Sequence, residues 1–342
     1  MNLGDYEKAG RTFVIAEIAQ AHDGSVGILH SLVEAAASTG ADAVKFQVHI
    51  ADAESSPLEP FRVRFSPVDA TRFDYWKRME LSYAQWEKLK ARCDELGVEF
   101  LATPFSNAAV DLLEGLGVTR YKVGSGDAAN PLLLEKLGRT GKEVILSTGL
   151  GVLEELDGAI ALLRSHKVPV ALLQCTTRYP TAAQDVGLSW LKRLHERYSC
   201  PVGLSDHSGT IFSGLGAVAL GAVAVEAHIT FDRRMFGPDA RASLTVDEFT
   251  HLVEGVRFLE LARGSGPDKT LDESKRELRR MFGKALAINR DMRAGEILSF
   301  EDLEGKKPAD GGLPVSEVGR IIGRRLSRDK QCGEFLSCTD IA

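Results

Sequence analysis

Short apolar runs alternate with amphipathic segments from the N-terminus onward, and this rhythm constrains the fold more than any other feature of the chain. Eight runs read as strands: Phe13–Ala19, Ala43–His49, Glu99–Phe105, Arg120–Gly126, Glu143–Gly149, Val170–Thr176, Pro201–His207 and Ala222–Thr230. Their unbroken apolar character suits parallel strands covered on both faces. Helices are legible between them, such as Ser31–Ser38, and Tyr83–Leu96 with an apolar face at Trp86, Leu89 and Cys93. A last helix is expected at Val246–Arg263. Eight such units in residues 1–265 predict a (β/α)8 TIM barrel. An open doubly wound sheet is the competing architecture, but no strand runs into GxGxxG, which argues against a dinucleotide site.

The polar residues gather where these runs end. The first run contains Glu17; the second carries Lys45, Gln47 and His49; the third ends Thr103-Pro104-Phe105-Ser106. The fourth gives Lys122, Ser125 and Asp127, the fifth Ser147, and the sixth leads into Thr177 and Tyr179. Barrel active sites lie on this C-terminal face. A buried strand has little reason to hold Lys or Glu unless the charge points into a polar site. The seventh and eighth runs each end in a polar cluster, Ser205-Asp206-His207 and Glu226-Ala227-His228. Two imidazoles at one sheet edge form a candidate divalent-metal pair. The alternative is that each histidine caps its strand with a hydrogen bond.

Two connections stand out. Ile50–Ser82, with Asp52, Glu54, Arg62, Arg64, Tyr75 and Trp76, is far longer than an ordinary βα loop and is expected to form a lid or rim. Phe231–Ser243 follows the eighth strand and mixes arginines with Asp239. Residues 266–284 are charge-dense and read as a linker with one exposed helix. Residues 285–342 then switch to short β-like runs and turns, with an internal echo. Asn289-Arg290-Asp291 through Glu301-Asp302-Leu303 resembles Ser327-Arg328-Asp329 through Thr339-Asp340-Ile341. That predicts a compact, pseudo-symmetric β module.

Composition excludes several classes. A net charge of −6 argues against a broad nucleic-acid surface, and five cysteines without a CxxC pair suggest neither disulfides nor a zinc finger. The first residues carry acids and no apolar core segment, and Ala217–Val225 is too short to span a bilayer. A cytoplasmic protein with no membrane partner is expected.

The segments AEIAQAHDGS, GADAVKFQ, YKVGSGD, LSTG, CTTRYPT, VGLSDHS, AVALGAVAVEAHIT and GPDARAS, taken in order, resemble the N-acetylneuraminate (sialic acid) synthases and their nonulosonic-acid relatives. RDMRAGEILSFEDL and RDKQCGE resemble the family's antifreeze-like (SAF) C-terminal domain. The resemblance implies condensation of phosphoenolpyruvate with the open-chain aldehyde of an amino sugar such as N-acetylmannosamine, releasing phosphate. It implies a divalent metal, Mn2+ foremost with Mg2+ or Co2+ as substitutes, on His207 and His228. Glu17 and Asp127 would handle water and sugar protons, while Lys45 and Lys122 hold phosphate and carboxylate. Thr103, Ser125, Ser147 and Ser205 would donate hydrogen bonds; Gln47, Thr177, Tyr179, Glu226 and Asp239 would complete the sugar pocket. It also implies a domain-swapped homodimer whose SAF domain brings Lys307 to the sugar. Lys307 stands where the family commonly has Arg, Thr177 replaces a frequent Asn, and Asp127 a frequent Glu. A Schiff-base aldolase using Lys45 or Lys122, and a sugar-binding protein that has lost chemistry, are the competing functions.

Overall fold

The computed structural model describes residues 1–342 apart from Arg62, Ser265, Pro267 and Asp268. Parts of the expected linker and of the long connection therefore lie outside the described residues. The chain divides into two compact units, Met1–Gly266 and Pro267–Ala342.

All eight expected strands form in the first unit: β1 (Phe13–Glu17), β2 (Ala43–Val48), β3 (Glu99–Pro104), β4 (Arg120–Val123), β5 (Glu143–Ser147), β6 (Val170–Cys175), β7 (Val202–Asp206) and β8 (Ala224–Thr230). Hydrogen-bonded neighbours run β3-β2-β1-β8-β7-β6-β5-β4, all parallel. The two ends of that path, β3 and β4, pack against each other, so the sheet is a nearly closed (β/α)8 barrel. Several strands stop before the apolar run does. β1 cannot continue through Ala19, whose φ of 46° is left-handed, and β4 gives way to a turn at Ser125–Asp127.

Register assigns each side chain to a face. Ile15 pairs with Ala43 and Glu17 with Lys45; Lys45 pairs with Leu101, and Ser205 with Glu226. These residues alternate with an outer set that includes Val14, Val44 and Phe100, which packs beneath the helices. Both faces are buried, which explains the continuous apolar runs. Helix Tyr83–Leu96 buries Trp86, Leu89 and Cys93 as its spacing predicts, and stops at Gly97, whose φ is 73°. Helix Val26–Ser38 begins five residues before the expected Ser31 because Ser25 Oγ caps it, accepting from Ile28 N.

The barrel interior is layered. At its base Arg120 bridges Glu99 and Glu143, at 2.7 Å from each, and Leu3 N donates to Glu143 Oε1 at 2.8 Å. Above lies an apolar layer of Leu3, Phe13, Ile15, Leu101, Ile145 and Leu173. The top layer is polar and forms the site.

The second unit contains helix Glu273–Phe282 and an antiparallel pair, Ala285–Ile288 with Leu303–Lys306. The sequence echo is a physical pseudo-twofold. Met292 and Lys330 exchange both backbone hydrogen bonds at 2.8 Å. Asn289 N donates to Asp302 O as Ser327 N does to Asp340 O, and Arg290–Asp302 is matched by Arg328–Asp340. No helix among the described residues is long and apolar enough to cross a membrane.

Candidate active site

The C-terminal mouth of the barrel opens into a cavity of about 410 Å³. Its floor is a buried charge cluster. Lys45 Nζ lies 2.8 Å from Glu17 Oε2, 3.3 Å from Glu226 Oε1 and 3.3 Å from Thr103 Oγ1. Lys122 Nζ lies 2.5 Å from Ser147 Oγ and 3.9 Å from Glu226 Oε2. Ser205 Oγ donates to Glu226 Oε1 at 3.1 Å. Burial depresses the Lys45 ammonium, but Glu17 and Glu226 outweigh it and hold it above its ordinary range. Lys122 has weaker compensation, so burial leaves it below its ordinary value. Burial raises Glu226, yet Lys122 and Lys45 prevail and bring its carboxyl down to about 2.

His207 and His228 stand beside this floor with ring centroids 5.3 Å apart, and Tyr179 packs against both. His207 Nδ1 lies 3.0 Å from the Thr176 carbonyl, an acceptor, so it carries the proton and leaves Nε2 with a lone pair. Burial and neighbouring His228 push the His207 imidazolium down to about 3, so the ring is neutral. Glu17 Oε2 and Glu226 Oε2 are buried and face only the Lys45 and Lys122 ammonium groups, and Thr177 Oγ1 is buried without a hydrogen-bond partner among the described residues. Among the described residues no three His, Cys, Asp or Glu side chains converge as ligands. The imidazole pair fits a divalent cation only as a partial donor set, with water and substrate oxygens supplying the rest.

The walls come from the long connection and from the loop after β8. Helix Arg72–Met79 presents Arg72 and Trp76, helix Ala51–Glu54 presents Glu54, and Pro238 and Asp239 close the opposite side. A local core of Tyr75, Trp76 and Met79 with Phe61, Phe65 and Phe73 anchors this rim. The connection is therefore pocket wall rather than a detached surface excursion. Asp127 lies on the turn after β4; burial raises its carboxyl above the usual range.

Lys45, Gln47, Thr103, Lys122, Ser125, Asp127, Thr177, Tyr179, Ser205, His207, Glu226, His228 and Asp239 all line one cavity. Glu17 and Ser147 lie just beneath, touching Lys45 and Lys122. Lys307 is an exposed residue of the second unit, with Nζ 5.3 Å from the Phe282 ring centroid. Gln20, Glu59, Arg72 and Phe105, which carry no sequence expectation, also line the cavity, as do His49 from the second strand and Glu54 and Trp76 from the expected rim. The length of the second connection is the sequence signal for Glu54, Glu59, Arg72 and Trp76.

A parallel barrel with two buried lysines and an imidazole pair at its C-terminal mouth defines a class: (β/α)8 barrels with a charged, buried site at the strand ends. Within it, this chain belongs to the NeuB family, whose model matches residues 32–268. It is 34% identical to the N,N'-diacetyllegionaminic acid synthase of Legionella pneumophila, over 95% of this chain and 93% of that one. It is 30% identical to the pseudaminic acid synthase of Campylobacter jejuni, over 99% of each. The crystal structure of an N-acetylneuraminic acid synthetase from Leptospira borgpetersenii serovar Hardjo-bovis, in complex with citrate, superposes with a TM-score of 0.69 at 30% identity. That match covers 78% of this chain and 90% of the other. The family is thus that of the nonulosonic acid synthases.

Proposed function

We propose that this barrel condenses phosphoenolpyruvate with the open-chain aldehyde of a six-carbon amino sugar, adds water and releases phosphate, giving a 2-keto-3-deoxy-nonulosonate. The observation that carries the reading is the pair of buried ammonium groups, Lys45 and Lys122, on the floor beneath an imidazole pair. Their charges match a ligand bearing phosphate and carboxylate, and Thr103, Ser147 and Ser205 add hydroxyl donors. When such an anion binds, its oxygens take over part of the compensation that Glu226 now supplies to both lysines.

His207 and His228 would hold a divalent cation, Mn2+ foremost and otherwise Mg2+ or Co2+, which supplies Lewis-acid polarisation of the aldehyde carbonyl. Asp127, its carboxyl raised by burial, is poised to exchange a proton with a sugar oxygen or water. Glu17 has one oxygen held by Gln47 at 2.9 Å and the other paired with the Lys45 ammonium at 2.8 Å, which keeps it an ionised carboxylate that would accept a proton from water. Gln47, Thr177, Tyr179, Glu226 and Asp239 would orient the sugar's hydroxyls. The second unit acts as the SAF domain of a cytoplasmic, domain-swapped homodimer, with Lys307 reaching the sugar.

Incubation with Mn2+, phosphoenolpyruvate and N-acetylmannosamine or related amino sugars should release phosphate and yield a nonulosonate by mass spectrometry. Neither product appearing across a panel of such sugars would sink the reading. A second reading is favoured by the lowered pKa of Lys122: a Schiff-base aldolase on that lysine. Borohydride with a keto acid would then label Lys122; we expect no label.

A further inference from the structure

His49 lies in the cavity wall, clamped between two rings. Its imidazole stacks on Trp76 at 3.9 Å and 18°, and on Phe105 at 4.5 Å and 11°. The nitrogens are held too: Nδ1 lies 2.6 Å from Glu54 Oε1, and Nε2 lies 2.9 Å from Gln20 Nε2. Gln20 Nε2 also donates to Gln47 Oε1 at 2.5 Å, and Gln47 Nε2 donates to Glu17 Oε1 at 2.9 Å. Beyond Glu17 stands Lys45, at 2.8 Å. His49 and Gln20 are buried, and so is the Glu54 side chain.

Polarity along this chain is self-consistent. The Glu54 carboxylate accepts, so His49 Nδ1 carries the proton; Nε2 faces the Gln20 amide N–H at 2.9 Å and, farther off, the Gln47 carbonyl oxygen at 3.3 Å, and the closer donor assigns it the lone pair. Gln20 then donates to both His49 and Gln47, which turns the Gln47 carbonyl toward Gln20 and its amide N–H toward Glu17. Reversing any one member forces the next to flip. A reversed Gln47 would set an oxygen against the Glu17 carboxylate.

We propose that His49 is a positioning residue, fixed by Glu54 and the Trp76–Phe105 clamp, that sets the orientation of Gln47 and Glu17 through Gln20. Its role in turnover rests on the synthase reading, whereas the relay itself does not. Lys45 meets the relay only at its Glu17 end and Lys122 not at all, so His49 governs how the second ligand and the proton-accepting carboxylate are presented more than how the anion is anchored.

The test pairs kinetics with a signal independent of turnover. His49→Phe keeps the stack and removes both nitrogens; His49→Gln restores an acceptor near the Nε2 position. For His49→Phe we expect unchanged melting, a KM for phosphoenolpyruvate within about threefold, and a kcat about 10- to 100-fold lower. His49→Gln should regain at least about fivefold of that loss. Histidine-ring 15N shifts of the wild-type protein should show His49 in the Nδ1–H tautomer, and Glu54→Gln should disturb it. A wild-type kcat in His49→Phe, or an Nε2–H tautomer in the wild type, overturns the proposal. If the wild-type protein turns over no amino sugar, the synthase reading fails, and the ring shifts still decide whether the relay exists.

Discussion

Lys45 on β2 and Glu226 on β8 meet across the intervening strand β1, Nζ 3.3 Å from Oε1, in the buried layer that floors the cavity. The same carboxylate faces Lys122 on β4, so a single negative charge joins three strands across the barrel. Removing one partner of such a buried group leaves the others uncompensated. Glu226→Gln should therefore destabilise the barrel by about 3–5 kcal/mol, measured by denaturant unfolding at pH 7.5. A stability equal to wild type would mean that water already reaches the two ammonium groups.

Chelation addresses the imidazole pair. Treatment with EDTA should abolish phosphate release, and Mn2+ should restore it. His207→Ala and His228→Ala should each weaken Mn2+ binding by calorimetry at least about 10-fold. Full activity after exhaustive chelation would remove the cation from the mechanism.

In the second unit, Asp340 is fully buried, with Lys330 Nζ at 2.9 Å and Arg328 also paired to it. Burial raises its carboxyl, but Arg328 and Lys330 outweigh this and hold it below the ordinary range. A depressed folded pKa contributes stability that is present above the unfolded value, about 3.9, and is lost as pH falls through the lower folded value. Wild-type stability should thus decline with acid below about pH 4. Asp340→Asn should be less stable at pH 7 and show a shallower decline, followed by circular dichroism melts of the full chain.

Gly203 on β7 points into the barrel. A Cβ there would press on the Ala224 carbonyl oxygen and stand 2.8 Å from Leu173 Cδ2. Because the first of these is backbone of the paired strand, Gly203→Ala should cost about 1–3 kcal/mol by overpacking. A melting temperature within a degree of wild type would show that β8 can shift.

The eight strands were legible because apolar runs covered on both faces have few readings, and the length of each run set its ends within three residues. The floor was legible for the opposite reason: Lys45, Lys122, Glu17 and Glu226 interrupt those runs and have no other cause to be there. The rim was harder. Glu54, Glu59, Arg72 and Trp76 lie in a connection with no periodicity, and what brings them over the cavity is the aromatic cluster around Tyr75, a set of long-range contacts that no local pattern encodes. The His49 relay was hidden because it joins two stretches, Glu17–Gln20 and Gln47–Glu54, that only the β1–β2 pairing brings together, and polarity becomes visible only once both carboxylate ends are in place.

The stack of His49 on Trp76 has a consequence for watching this protein at work. Of the three tryptophans, Trp86 is sealed under a helix and Trp190 lies away from the cavity, whereas Trp76 forms part of its wall. Its emission is exposed to quenching by the stacked imidazole and by Arg72 at 4.4 Å. A ligand entering the mouth should change that intensity, and Trp76→Phe should abolish the signal. The molecule thereby carries its own optical reporter, one that reads occupancy in real time without any label.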